Sequence, residues 1–309
     1  MTWPWTLLFF LLVPAGFCIA QADGEQGTGT GIKWTGCGIT RKALMAEAAA
    51  VFEKKTGIHT ELSGGGATLG IRKAASGEAD IGGSCRPCKP EWTDEEAGVR
   101  MTHAAWDALV IFVHPSNPVT GLTTEQVQKI YSGEIRSWKN VGGQDAPIVV
   151  TARRGKTSGV GYMARKLLFQ DEGADFCRRA ILLKSSGPLE EKVESTANAI
   201  GISGISSVKK RNVKFLTLDG VAPDKEKVAS GDYSLSRPLY LMTRGEPTGA
   251  TKQFLDWILT PEGQKIISEQ GTVNLEEGKE LTTKFAHWEH EELIRNHKKS
   301  WVFLSIQHP

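Results

Sequence analysis

Residues 148–169 read IVVTARRGKTSGVGYMARKLLF, two hydrophobic patterns joined by a polar turn. Ile148 to Ala152 is apolar and β-branched, which predicts a short buried strand. Val160, Met163, Ala164, Leu167 and Leu168 recur at i, i+3, i+4, i+7 and i+8, which predicts one face of a helix. Between them lie Arg153, Arg154, Gly155, Lys156, Thr157, Ser158 and Gly159. Thr157 or Ser158 is placed to cap the helix, whose first turn leaves backbone N–H groups without partners. Such donors, the helix dipole, two hydroxyls and three cations at one strand end have the chemistry of an oxyanion site. The plainer alternative is a capped helix with solvated arginines. A nucleotide-binding P-loop is rejected, because Val150 occupies the position of its first glycine.

Working outward, the 309 residues are 40% hydrophobic and 23% charged, enough to bury a full core in two lobes. Its 37 basic and 35 acidic residues leave a net charge of +2, which argues against a nucleic-acid binder with a broad basic face. Residues 1–22 carry no charged side chain, and Ala20-Gln21-Ala22 fits the small-x-small cleavage rule. A secretory signal cut after Ala22 is expected. A retained anchor is the alternative, since no Lys or Arg stands near the start. Cys18 leaves with the signal, and lipid attachment there is disfavoured by the bulky Phe17. Cys37, Cys85, Cys88 and Cys177 remain, and four cysteines allow three pairings.

Residues 23–31 are Gly- and Thr-rich and read as a lead-in. Three strand ends then follow in succession. A short strand at 32–34 runs into TGCGIT, and a helix carrying Leu44, Ala48, Val51 and Phe52 stops at Gly57. A strand through Ile58, Thr60 and Leu62 runs into SGGGAT, and a third, 79–83, ends at Ser84-Cys85. In an open α/β sheet ligands bind outside the carboxyl ends of strands, where glycines let N–H groups approach an anion. Ordinary βα turns favour the same residues. The long apolar run 106–114 and the run 237–243 are candidate strands crossing between lobes. Residues 124–131, capped by Thr123 or Thr124, and 176–183 read as helical, and 138–143 as a loop. A helix follows Thr260-Pro261 and ends at Gly271.

In order along the chain come SGGGATLGI, SGEADIGGSCR, WDALVIFVHPSNPVTGLTTEQVQKIYSGEIRSWKNVGG, ARRGKTSG, GDYSLSRPLYLMT and FLDWILTPEGQKIISEQG. Together they resemble the PstS-like phosphate-binding component of ABC transporters, over roughly residues 30–275. The resemblance implies an α/β, two-lobed type II periplasmic-binding-protein fold with two crossing strands. It implies a signal peptide at 1–22 and a lead-in at 23–31. Lobe 1 is then 32–108 with 239–275, lobe 2 is 109–238, and 276–309 is a C-terminal extension. Carried over by motif, Arg154 grips the anion, and Ser158 and Gly159 supply hydroxyl and backbone donors. Thr40 falls on the first turn's threonine. Ala67 and Thr68 fall on the paired serines of the second turn, with Thr68 the better candidate and Ser63 the fallback. Ser84 completes the shell. Thr157 lies in the same loop, and Lys156 and Arg153 are further cations whose roles the family does not fix.

The expected function is non-enzymatic: a monomeric periplasmic protein that closes on inorganic phosphate or a related oxyanion and docks on a membrane permease. No cofactor or metal is expected. One departure stands out. The resemblance places an acidic acceptor, or in looser relatives a serine, where this chain has Cys85. A thiol accepts hydrogen bonds weakly and a disulfide hardly at all, so sulfate and arsenate stay open as ligands. An exported thiol-dependent enzyme and a sensory anion binder are the alternatives.

Cys85-Arg86-Pro87-Cys88 has CxxC spacing, but two ligands make a weak zinc signal, and Lys89 stands where haem attachment needs His. A structural disulfide is the favoured reading, with its partner open. Cys37 and Cys85 each end a strand and are one candidate pair across the site. His287 and His290, with Glu289 and Glu291, read as a solvated helix face. Phe285, Trp288, Trp301, Phe303 and Leu304 suggest that the tail packs on its own lobe or on a partner.

Overall fold

The computed structural model describes Met1 and residues 31–285. The expected signal segment, Cys18, the His287/His290 pair and the aromatic tail beyond Phe285 lie outside the described residues.

Strands β1 (Gly31–Gly36), β2 (His59–Ser63) and β3 (Ile81–Ser84) are short, and each ends in glycine or serine. They pair in parallel, β2 and β3 flanking β1. The helices between them stop where the sequence indicates. Residues 38–56 form one helix, widened to π geometry over Arg41–Met45 and closed by Gly57 at φ 74°. Ala67–Ser76 is closed by Gly77 at φ 80°. Glycine suits both ends because the left-handed conformation there would crowd a Cβ.

β4 (Val99–Val113) is the longest strand, with 15 residues, and everything from Ala104 onward is buried. A strand covered on both faces reads as a continuous apolar run rather than an alternation. β5 (Gly121–Leu122) precedes a helix at Thr124–Ser132, where Thr123 and Gln126 form a capping box. β6 (Val149–Arg153) and β7 (Ile181–Leu183) are parallel, and β8 (Ala199–Gly204) pairs with β6 on its other side. β9 (Lys214–Phe215), β10 (Thr217–Leu218) and β11 (Ser236–Arg244) complete the set.

The sheet order is β2-β1-β3-β11-β4-β8-β6-β7, with β9 also on β4, while β5 and β10 pair separately. β4 changes partner along its length. Residues 99–108 pair antiparallel with β11, and 109–113 pair antiparallel with β8. Two half-sheets therefore share one strand, and β11 meets the seam at Ser236, opposite Ala108.

Three expectations need correction. Residues 176–183 are not helical: they form a turn at 178–179 and then β7. The Ile181-Leu182-Leu183 run is held as an edge strand by β6, and Phe176 packs on Tyr131 with ring centroids 5.4 Å apart. Residues 138–143 are not plain loop, because Trp138–Val141 forms a 3₁₀ turn with the indole buried. The strand predicted from Trp106 also begins earlier, at Val99, where pairing with β11 holds a segment without an apolar run.

His103 on β4 illustrates the cost of such burial. Its ring meets Trp106 edge-on at 4.4 Å, and burial lowers its pKa to about 4, partly offset by the hydrogen bond to the Ala105 carbonyl. The unfolded chain therefore takes up the proton first. Stability from the neutral ring is full above pH 6.5 and is lost as pH falls through about 4. The loss should reach up to about 3 kcal/mol. Urea unfolding at pH 7 and pH 4.5 should show a smaller pH penalty for His103→Gln than for the native chain. Equal penalties would remove His103 as the cause.

Candidate functional site

The turn after β1, the turn after β3, the start of the segment 159–169, the buried middle of β4 and the start of β11 meet at the seam of the half-sheets. Cys37 leads the first turn. Its N–H donates to the Gly83 carbonyl at 3.0 Å, and its sulfur caps the helix, accepting from the Thr40 N–H at 3.4 Å. The Thr40 hydroxyl lies 2.9 Å from the same sulfur and is fully buried. Cys85 is the first residue past β3, and the β1–β3 register, which pairs Gly36 with Gly83, brings it to the same sheet edge as Cys37. Both are buried, and neither is in a disulfide.

Beneath them runs a buried ion pair. Arg237 on β11 donates to Asp107 Oδ2 on β4 from Nη2 at 2.8 Å and from Nε at 3.3 Å. The other Asp107 oxygen accepts from the Ser206 N–H at 3.1 Å and hydroxyl at 2.7 Å. Gly204 makes room: a Cβ there would sit 2.5 Å from Asp107 Oδ2 and 2.6 Å from Arg237 Nη2. Arg237 Nη1 is buried with no hydrogen-bond partner among the described residues. A buried, unpaired guanidinium donor is costly, so its presence calls for an acceptor.

The charges interact. Burial pushes the Cys37 thiol up, but the Cys85 hydrogen bond, two bonds from Thr40 and the Arg237 charge bring it down to about 6. The hydrogen bond to Cys37, and then burial, push Cys85 well up. Arg153 ends β6 in a buried position; desolvation lowers its pKa, and the nearby Cys85 and Cys37 offset that. Its Nη1 donates to the Leu183 carbonyl at 2.6 Å.

The expected site residues separate into two groups. Thr40 and Gly159 lie within the constellation. Gly159 packs so closely that a Cβ would fall 2.5 Å from the Cys85 sulfur and 2.8 Å from the Ala67 Cβ. Thr68 and Thr157 meet each other instead: the Thr68 hydroxyl donates to the Thr157 carbonyl at 2.8 Å. Ser84 is buried, with its hydroxyl committed to the Arg86 carbonyl at 2.7 Å. Ser158 starts the helix by position, yet its hydroxyl donates to the Gly155 carbonyl at 3.1 Å. Arg154 is exposed, and among the described residues only its backbone N–H is held, by the Leu183 carbonyl. Lys156 is exposed and turned toward Asp175 at 2.9 Å and the Gly173 carbonyl. Neither cation joins Arg237.

Three groups escaped the sequence reading. Arg237 and Asp107 stand 130 residues apart, and only the pairing of β4 with β11 joins them. In sequence Arg86 is no more than a spacer in CxxC. It is fully buried in a bidentate pair with Glu96, at 2.6 and 2.9 Å, and its Nε donates to the Thr157 carbonyl at 2.7 Å. An arginine within an apolar strand end was the available signal. Cys88, half-buried, packs beside Tyr240 and Met242 rather than with Cys85, so the CxxC spacing does not form one site.

A cationic, donor-lined seam between two mixed half-sheets is an arrangement suited to holding an anion. The chain belongs to the PBP superfamily, whose domain model matches residues 23–262. It has the two-lobed type II periplasmic-binding-protein fold and is PstS-like. It is 31% identical over 188 residues to the phosphate-binding protein PstS of Borreliella burgdorferi, covering 58% of this chain and 67% of that one. It is 26% identical over 259 residues to PstS of Bacillus subtilis, covering 82% and 83%. Among solved structures it resembles a phosphate ABC transporter substrate-binding protein from Clostridium perfringens with bound phosphate. That match has a TM-score of 0.73 and 29% identity over 79% of this chain and 99% of that one. An ABC-type phosphate transport receptor from Vibrio cholerae matches at TM-score 0.63 and 28% identity, over 79% and 99%.

Proposed function

We propose that this chain captures phosphate at the seam of its two half-sheets and presents it to an ABC importer. The observation that carries the reading is Arg237: a fully buried guanidinium with one free donor, at the point where strand ends from both halves converge. A dehydrated anion needs charge and directed donors together. Arg237 and Arg153 supply charge, the Thr40 hydroxyl and the N–H groups at the start of 159–169 supply direction, and Ala67–Ser76 begins beside them. The similarity to phosphate-binding relatives selects phosphate among oxyanions.

In this reading lobe 1 is 32–108 with 239–275 and lobe 2 is 109–238. The partner change of β4 at Leu109 supports that boundary. Arg86 and Thr68 both reach the Thr157 carbonyl and latch the closed form. The chain is exported, loses residues 1–22, acts in the periplasm as a monomer without enzymatic activity, and docks on a membrane permease.

Isothermal titration with phosphate, and with sulfate as competitor, tests the ligand. Failure to bind phosphate in a folded preparation would sink the reading. Arg153→Ala should weaken phosphate binding about 100-fold, the loss of one charge-assisted donor pair in a dry site, while Arg154→Ala changes it less than about threefold. A loss confined to Arg154→Ala would return the anion's charge to the exposed guanidinium that the family motif selects.

A further inference from the structure

Residues 85–98 join β3 to β4 as a loop closed at its base. Arg86 near one end and Glu96 near the other are buried and pair bidentately, at 2.6 and 2.9 Å. The same carboxylate accepts the Lys89 N–H at 2.9 Å, and Arg86 Nη1 also donates to the Pro87 carbonyl at 2.7 Å. The base is thus fixed to the first half-sheet, while Pro90, Glu91 and Trp92 at the tip are exposed.

What this strap reaches belongs to the other half. The Trp92 ring meets the Tyr162 ring edge-on, with centroids 5.2 Å apart. Lys89 Nζ lies 5.3 Å from the Trp92 centroid, 5.5 Å from the Tyr162 centroid and 3.5 Å from Glu172 Oε1. The Tyr162 hydroxyl donates to the same Glu172 oxygen at 2.6 Å. One cation, two rings and one carboxylate, drawn from both sides of the seam, therefore form a single cluster. Behind it, the Thr157 carbonyl accepts from Arg86 Nε at 2.7 Å and from the Thr68 hydroxyl at 2.8 Å. A trans peptide points its N–H opposite to its carbonyl, so this hold fixes the Ser158 N–H facing away from the strap.

We infer that residues 85–98 are a retention strap: the docking of Lys89 and Trp92 on Tyr162 and Glu172 sets how slowly the captured anion leaves. The inference rests on the anion-site reading above.

The argument is one of timing. Contacts that bridge the halves stabilise the closed form over the open one and add nothing to the anion's encounter with the open form. An anion enclosed between the halves leaves only after they part, so contacts that must break first are felt in the dissociation rate. An aromatic edge contact and a cation shared by two rings are together worth about tenfold. The Lys89–Glu172 ion pair is partly exposed and adds less.

The test loads the purified chain with radiolabelled phosphate and chases it with unlabelled phosphate, while calorimetry reads affinity. Trp92→Ala should raise the dissociation rate about tenfold and leave the association rate within about twofold. Trp92→Phe keeps a ring edge on Tyr162 and should stay within about threefold of native. Lys89→Met should also speed release, and by less when Trp92→Ala is already present, because the two side chains share one cluster. Hydrogen exchange of the chain without phosphate supplies a second readout. In the double variant, amides at 157–163 in the other half should exchange faster along with those of the strap. An unchanged dissociation rate in Trp92→Ala, or a loss confined to association, would overturn the inference. If the native chain binds no phosphate, the phosphate reading falls and exchange alone decides the strap. Faster exchange at 157–163 then supports docking across the seam, and a change confined to 86–97 overturns it.

Discussion

Arg237→Leu should lower the stability of the chain by about 3–5 kcal/mol and abolish phosphate binding, as expected when one partner of a buried ion pair is removed. Both Arg237 and Asp107 are essentially without solvent exposure, so the orphaned carboxylate would keep only its two bonds from Ser206. The two losses separate in a second variant. Arg237→Leu combined with Asp107→Leu removes both charges, and such apolar replacements are often neutral or stabilising. Urea unfolding of the double variant should recover most of the lost stability, while calorimetry still finds no phosphate binding. Binding restored in the double variant would show that Arg237 acts only by neutralising Asp107 and gives nothing to the anion.

Gly159→Val should do the reverse: a stable chain that no longer closes. Gly159 is not in the left-handed region, so its backbone accepts a side chain. The obstacle is space, since its Cβ would overlap the Cys85 sulfur and Ala67 from the opposing half-sheet. Overpacking across a movable seam is relieved by separating the halves rather than by unfolding. Unfolding free energy should stay within about 1 kcal/mol of native, with phosphate affinity reduced at least about 100-fold. An unchanged affinity would mean that this contact is not part of the bound form.

The local grammar of the fold was legible because local chemistry determines it. Gly57, Gly77 and Gly133 end helices with positive φ, and Thr123 and Thr260 cap the helices that follow them. The central segment was read within a residue, as strand Val149–Arg153 and a helical face from Val160 onward. Failures came where a distant partner decides the outcome. Residues 181–183 look helical alone and become a strand only beside β6. The first part of β4 carries no apolar run and is held by β11.

The site divides the same way. Thr40 and Gly159 sit on turns whose composition advertises them. Lys156 and Arg154 look equally promising in sequence, but the turn at Gly155, with φ 81°, leaves both exposed. Arg237 gives no local sign, since its role depends on an aspartate 130 residues earlier. Cys37 and Cys85 were legible as strand-end neighbours, whereas the CxxC spacing gave no hint that Cys88 packs apart, beside Tyr240 and Met242.

The position of β11 has a consequence for how the chain acquires this shape. It lies between β3 and β4, which are consecutive in sequence but never pair with each other. The first half-sheet therefore keeps a gap at its centre until residue 244 is available to fill it. Closing a contact of that sequence separation carries a large loop entropy, and non-local strand pairings fold slowly. Nearly the whole polypeptide must be made before its amino-terminal quarter can become native, so a chain still emerging end-first stays loose enough to be threaded through a narrow channel.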